Sequence, residues 1–278
     1  MLTKKTIGFL GAGNLAEALI KGLISSRSVA PGHIVASDRM SERLIHMAEV
    51  HEVKVFNRNF EAVRNSDIIF LTVKPQDALG VLADIAPEIV QGQLLISVAA
   101  GITTASIMDA LKNAGLKHFI PIVRAMPNTP ATVREAATAI CAGPGAGTGH
   151  LELAAALFST VGAVTVIEEE SLMDAVTGLS GSGPAYVFLF MEALVEAGVK
   201  LGLAPETAKA LAMQTVLGAA KYAMESRKDL GELRRMVTSP GGTTMAGLKK
   251  LDEGGFCEII GKAVEAATKR AKELSEGK

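Results

Sequence analysis

The chain has 278 residues, 49% of them hydrophobic, with 28 Lys and Arg against 29 Asp and Glu and a net charge of -1. That length exceeds one average domain of about 100 to 200 residues and points to two, while the charge balance, with no block of one sign, excludes the basic surface of a non-specific nucleic-acid binder. Two cysteines, Cys141 and Cys257, stand outside any CxxC spacing, which excludes a disulfide framework and a Cys-based zinc site and suits a reduced, cytoplasmic compartment.

From residue 6 to about 167, short runs rich in β-branched residues alternate with helical patterns, the mark of βαβ units and a mostly parallel sheet. Strands are expected at 6–10, 33–37, 53–56, 68–72, 93–97, 119–123, 137–141 and 163–167. Helices with apolar residues at three- and four-residue spacing are expected at 14–25, 41–50, 76–85 and 103–113. Residues 1–167 thus read as a doubly wound, Rossmann-like α/β domain that binds a dinucleotide.

After Glu168 the strand pattern stops, and residues 168–278 read as an all-helical domain. Within 184–201, Glu192, Glu196 and Lys200 form a single i, i+4 stripe, while Tyr186, Phe188, Phe190, Leu194 and other apolar residues cover nearly every other direction. Such a helix must be buried almost all round, which a domain of about 110 residues hardly manages alone. The expectation is a homodimer interlocking through the helical halves. The same charges argue against a membrane span.

Residues 6–10 feed Gly11-Ala12-Gly13-Asn14-Leu15-Ala16, a GxGxxG/A match in its required strand–turn–helix context. Gly11 permits the turn, Gly13 lets the backbone approach a pyrophosphate, and the helix N-terminus beyond, with Asn14 and Leu15, faces the anion. Asp38, 25 residues after Gly13, stands near the expected place of a ribose-reading acid. Asp38 favours NADH, whereas Ser37 and Arg39 beside it suit the 2′-phosphate of NADPH. In a doubly wound sheet the ligand lies beyond the carboxyl ends of the strands, so Val73-Lys74-Pro75-Gln76, Ala99-Ala100-Gly101 and Asn128 within Met126-Pro127-Asn128-Thr129-Pro130 are candidate walls of the nicotinamide pocket.

All five histidines lie in the first half, so the helical half holds no imidazole for proton transfer, and no metal site is expected. What it does hold is two Gly-Ser-Thr segments at helix starts, Thr177-Gly178-Leu179-Ser180-Gly181-Ser182-Gly183-Pro184 and Thr238-Ser239-Pro240-Gly241-Gly242-Thr243-Thr244. Bare amides and hydroxyls at a helix start suit a small carboxylate ligand. Helix capping by Ser182 and Thr243 is the structural alternative.

Taken together, IGFLGAGNLAEALIKGL, FLTVKPQ, SVAAGI, RAMPNTPA, VTGLSGSGPAYVF, EAGVKLGL and VTSPGGTTMAGLKKLDEGGF resemble the pyrroline-5-carboxylate reductases nearly end to end. The resemblance implies reduction of L-1-pyrroline-5-carboxylate to L-proline, the last step of proline biosynthesis, with NADPH favoured and NADH as the alternative. It also implies a homodimer built through the helical domain, or a ring of dimers up to a decamer of five. Carried over by position, it places Ser239, Gly242, Thr243 and Thr244 around the substrate, with Thr244 on the imine nitrogen and Thr177 as a supporting hydroxyl, and it sets Lys74, Pro75, Ala99, Gly101 and Asn128 around the cofactor. The segment 226–230 departs from the family pattern, and no role is assigned there.

Two other readings stay open on sequence. A β-hydroxyacid dehydrogenase shares the Rossmann-then-helices plan, and Gly178, Gly181 and Gly183 match its glycines, but Val187 and Met191 stand where its Lys and Asn belong. A nucleotide-sensing protein that binds NAD(P) without turnover is the other. Nucleic acid and membrane are not expected as partners.

Overall fold

The computed structural model describes residues 4–276. In chain order the elements of the first half are β1 (Ile7–Leu10), α1 (Asn14–Ser25), β2 (Ile34–Ser37), α2 (Ser41–His51), β3 (Lys54–Phe56), α3 (Asn59–Arg64), β4 (Ile68–Leu71), α4 (Pro75–Ile85), β5 (Leu94–Ser97), α5 (Thr104–Asn113), β6 (Ile122–Met126), β7 (Ala136–Ala142), α6 (Thr148–Phe158) and β8 (Gly162–Val166). They build one sheet in the order β3-β2-β1-β4-β5-β6-β7-β8. All its pairings are parallel except β6 with β7.

The central strands β1, β2, β4 and β5 are four residues long and buried throughout, as a parallel sheet covered on both faces demands. One face packs Ile7, Phe9, Leu19, Ile20 and Phe158, and the other packs Leu10, Ile69, Leu71, Leu82 and Ile107. Phe9 stacks on Phe70 with centroids 4.9 Å apart. Because β2 and β4 flank β1 on opposite sides, the chain reverses its winding there, and this switch opens a crevice at the carboxyl end of the strands.

Beyond β8 come α7 (Met173–Val176), a π-helical turn (Thr177–Gly181), α8 (Gly183–Lys200), α9 (Pro205–Glu225), α10 (Leu230–Met236), α11 (Thr243–Glu253) and α12 (Phe256–Ser275). The chain divides into two compact units. One runs to Ser182 and takes in the segment from Ala266 onward, and the other is Gly183–Glu265. The division therefore falls after the 167 boundary read from the strand pattern, and a buried charge explains it. Arg124, on β6 and 3% exposed, ion-pairs with Glu170 at 3.1 Å and Asp174 at 3.8 Å. Glu170 also accepts the backbone N–H of Thr104 at 2.8 Å, and Asp174 accepts the Ser275 hydroxyl at 3.3 Å. A guanidinium that deep in the sheet is costly without its carboxylates, so the segment after β8 is held to the first unit.

In the second unit α8 has no buried residue, and Phe188 and Leu189 are 58% and 66% exposed in the single chain. The apolar directions expected to need cover are open.

Candidate active site

The crevice at the β1/β4 switch is a cleft of about 700 Å³ lined by Gly11, Gly13, Asn14, Asp38, Arg39 and Arg43 on one side and by Thr72, Val73, Lys74, Gln76 and Asp77 on the other, among others. Its floor is the glycine turn. Gly11 has φ +101°, and a Cβ there would sit 2.9 Å from the Val73 nitrogen, so both conformation and space require glycine. An added Cβ at Gly13 meets nothing. Gly13 is the N-cap of α1 and offers no side chain to the first-turn amides, which leaves bare N–H donors and the positive end of the helix for a diphosphate. The residues present fit a dinucleotide.

Asp38 fixes the rim. Its Oδ2 accepts the Ala12 N–H at 2.7 Å and its Oδ1 accepts the Met40 N–H at 2.8 Å. A carboxylate has about four acceptor sites, so a ribose hydroxyl is still accommodated. Arg39 is largely exposed and reaches Asp77 at 3.2 Å. Ser37 corrects the sequence reading: it is fully buried, and its hydroxyl donates to Asn59 Oδ1 at 2.8 Å, so it anchors the end of β2 and presents nothing to a 2′-phosphate.

Of the other predicted cofactor residues, Val73 and Lys74 line this cleft, whereas Leu15, Pro75, Ala99, Ala100, Gly101 and Asn128 do not. Pro75 opens α4 at its first position. Ala99 is buried, and Gly101 turns the chain with φ +72° close against Leu274. Asn128 has both ends of its amide engaged, donating from Nδ2 to the Ser180 carbonyl at 3.0 Å and accepting the Ala137 N–H at 2.9 Å.

Thr177 begins the π-helical turn, and its hydroxyl donates to the Met173 carbonyl at 2.8 Å, leaving only acceptor capacity. Single π turns that interrupt helices are frequent at functional sites. In the second unit Ser239, Gly242, Thr243 and Thr244 lie on one turn. Gly241 takes φ +72°, Gly242 donates to the Ser239 carbonyl at 3.0 Å, and a Cβ on Gly242 would meet the Ser239 hydroxyl. The N-cap of α11 is Gly242, with no side-chain cap. Thr243 is therefore not a cap, and the exposed Thr243 and Thr244 sit at the uncapped start of an 11-residue helix.

Sequence reasoning missed Arg43. Its Nε donates to the Ala12 carbonyl at 2.8 Å and its Nη2 reaches Glu17 at 2.7 Å, tying α2 to the glycine turn and to α1. Burial raises the Glu17 carboxyl, but hydrogen bonds from His46, Arg43 and His51 outweigh it and hold the pKa at about 2. Burial and the Glu170 charge push the Cys141 thiol up to about 11, which makes it unreactive.

Comparison with known proteins adds the following. Residues 6–101 match a family described as NADP oxidoreductase coenzyme F420-dependent. Residues 170–274 match one described as pyrroline-5-carboxylate reductase dimerisation. The chain is 43% identical over 270 residues to the pyrroline-5-carboxylate reductase of Pseudomonas aeruginosa, covering 97% of each. It is similar to the solved pyrroline-5-carboxylate reductase of Coxiella burnetii, with TM-score 0.91, 40% identity, and coverage of 98% of this chain and 99% of that one. It is also similar to the Plasmodium falciparum pyrroline carboxylate reductase with NADP bound, with TM-score 0.87, 30% identity, and coverage of 99% and 100%.

Proposed function

The chain belongs to the pyrroline-5-carboxylate reductase family, and from that premise we propose that it reduces L-1-pyrroline-5-carboxylate to L-proline as a soluble, cytoplasmic enzyme of proline biosynthesis. The observation that carries the reading is the end-to-end match to reductases of that name, with the uncapped SPGGTT turn intact. The cofactor is NAD(P)H, with NADPH favoured by the guanidinium of Arg39, which is largely exposed at the cleft rim beside its ion pair with Asp77.

Gly11, Gly13 and Asn14 hold the diphosphate, Asp38 and Arg39 meet the adenosine ribose, and Val73 and Lys74 wall the cleft. Pro75, Ala99, Ala100, Gly101, Asn128 and Leu15 shape the surrounding backbone. When bound, the nicotinamide supplies the hydride. The amides of Gly242, Thr243 and Thr244, helped by the Ser239 hydroxyl, hold the substrate carboxylate at the helix start. The Thr244 hydroxyl hydrogen-bonds the ring nitrogen and relays to it a proton drawn from solvent, so that the hydroxyl itself stays protonated, and Thr177 supports as an acceptor. Imine reduction needs orientation and one polar partner more than a strong acid, which a site without histidine provides.

The exposed apolar surface of α8 supports a homodimer through the helical unit, and five such dimers would make a decamer. The stretch Glu170–Lys200 is long and apolar enough to cross a membrane by length and composition, at a mean hydropathy of 1.2. Its place inside the dimerisation match gives those apolar side chains a protein partner instead. Purified protein mixed with NADPH or NADH and pyrroline-5-carboxylate should lose reduced-nicotinamide absorbance. Cofactor binding without that loss would leave a nucleotide sensor and overturn the reading.

A further inference from the structure

Behind the glycine turn, on the far side of Arg43, Glu17 of α1 meets two histidines of α2. His46 Nε2 lies 2.7 Å from Glu17 Oε1, and His51 Nε2 lies 3.5 Å from the same oxygen. The three donor atoms all fall within 4.8 Å of one another. We propose that Glu17, His46 and His51 form a binding site for a zinc-class divalent cation.

The donor set is two imidazoles and one carboxylate, which suits zinc and its borderline neighbours rather than magnesium or calcium. An ion about 2.0–2.1 Å from each donor needs donor separations of roughly 3.3 Å, and the observed spacings bracket that value. The imidazole edges already converge: the rings are 5.9 Å apart at 86°. The second carboxylate oxygen is held by Arg43 at 2.7 Å, which orients Glu17 and leaves Oε1 for the ion, the arrangement expected of a partner around a ligand. The side chains of Glu17 and His46 are 27% and 39% exposed and that of His51 is 10% exposed, so solvent gives an ion entry on one side and a water completes the coordination. On binding, the proton that each Nε2 donates to Glu17 is displaced to solvent, and the neutral ring carries a proton on Nδ1 instead. The spacing of 29 residues from Glu17 to His46 and five to His51 follows no recognised ligand pattern, which is why the sequence alone suggests no metal.

The ion would fasten α1 to the end of α2 directly behind the diphosphate turn. Zinc chloride titration followed by calorimetry and by metal analysis after gel filtration tests this, in a Cys257→Ser background so that the exposed thiol does not compete. The expected result is one ion per chain, with affinity falling at least tenfold in both His46→Ala and His51→Ala while circular dichroism is unchanged. Cobalt(II) should give visible absorption bands of four-coordinate nitrogen and oxygen ligation, lost in the same variants. Stoichiometry well below one, or binding indifferent to both substitutions, would overturn the proposal. Should either variant misfold, Glu17→Gln, which keeps the shape and removes the one anionic donor, gives the same readout.

Discussion

Asn128 Nδ2 donates to the Ser180 carbonyl at 3.0 Å, joining the turn after β6 to the π-helical turn 52 residues later. The same side chain accepts the Ala137 N–H on β7, so one amide ties an expected pocket wall to the Gly-Ser-Thr segment and to β7. Asn128→Ala should lower stability by about 1–2 kcal/mol, the scale of two lost hydrogen bonds, and reduce kcat/KM. Asn128→Asp keeps the acceptor and should restore only part of the denaturation midpoint. Wild-type midpoints for both would remove Asn128 from this role.

The Thr244 hydroxyl is proposed as the partner of the substrate nitrogen. Thr244→Ala should cut kcat/KM by at least about tenfold, about 1.4 kcal/mol, and Thr244→Ser should recover most of it. Steady-state kinetics with saturating cofactor decide, and unchanged values for Thr244→Ala would exclude it.

Arg39 is balanced between solvent and Asp77. Arg39→Ala should lower kcat/KM with NADPH by about tenfold and leave NADH nearly unaltered, since surface pairs of this kind hold little stability themselves. Asp77→Asn should shift preference towards NADPH by freeing the guanidinium. No selective change in either variant counts against a 2′-phosphate site here.

Arg43 braces the glycine turn without being part of its motif. Arg43→Met should raise the KM for cofactor severalfold with a smaller effect on kcat, because it loosens a binding surface rather than a reacting group. A fall confined to kcat would argue against the brace.

Glu17 carries a pH dependence whose direction is fixed. Its folded pKa is about 2 against an ordinary 4.5, so its contribution to stability is complete above about 4.5 and is lost as pH falls towards 2. The Tm difference between wild type and Glu17→Gln should be largest near neutrality and shrink across that window. A difference that stays constant in acid would refute the assignment.

Strands β1, β2, β4 and β5 were legible because each is a short, almost uninterrupted apolar run closed by a turn, and the glycine turn announced itself by context. The sixth strand was less so. The expected 119–123 lies three residues early, because Pro121 cannot donate to a ladder and Arg124 looks like a strand end. It continues the strand only because Glu170, 46 residues on, neutralises it. The same pairing moved the division between units, and Ser37 lost its expected role to Asn59. Non-local partners of this kind leave no periodic trace. The start of α11 was readable from the Gly-Gly-Thr-Thr run, but its bare N-cap was not, because Thr243 offered a capping hydroxyl at the same place.

The guanidinium of Arg124 also sets a rule for modularity. A nucleotide-binding half cut where its last strand ends would be born with an orphaned cation in its interior, whereas one that keeps the short acidic tail through Ser182 carries its own neutraliser. Any recombination that grafts this half onto another partner must inherit that tail with it.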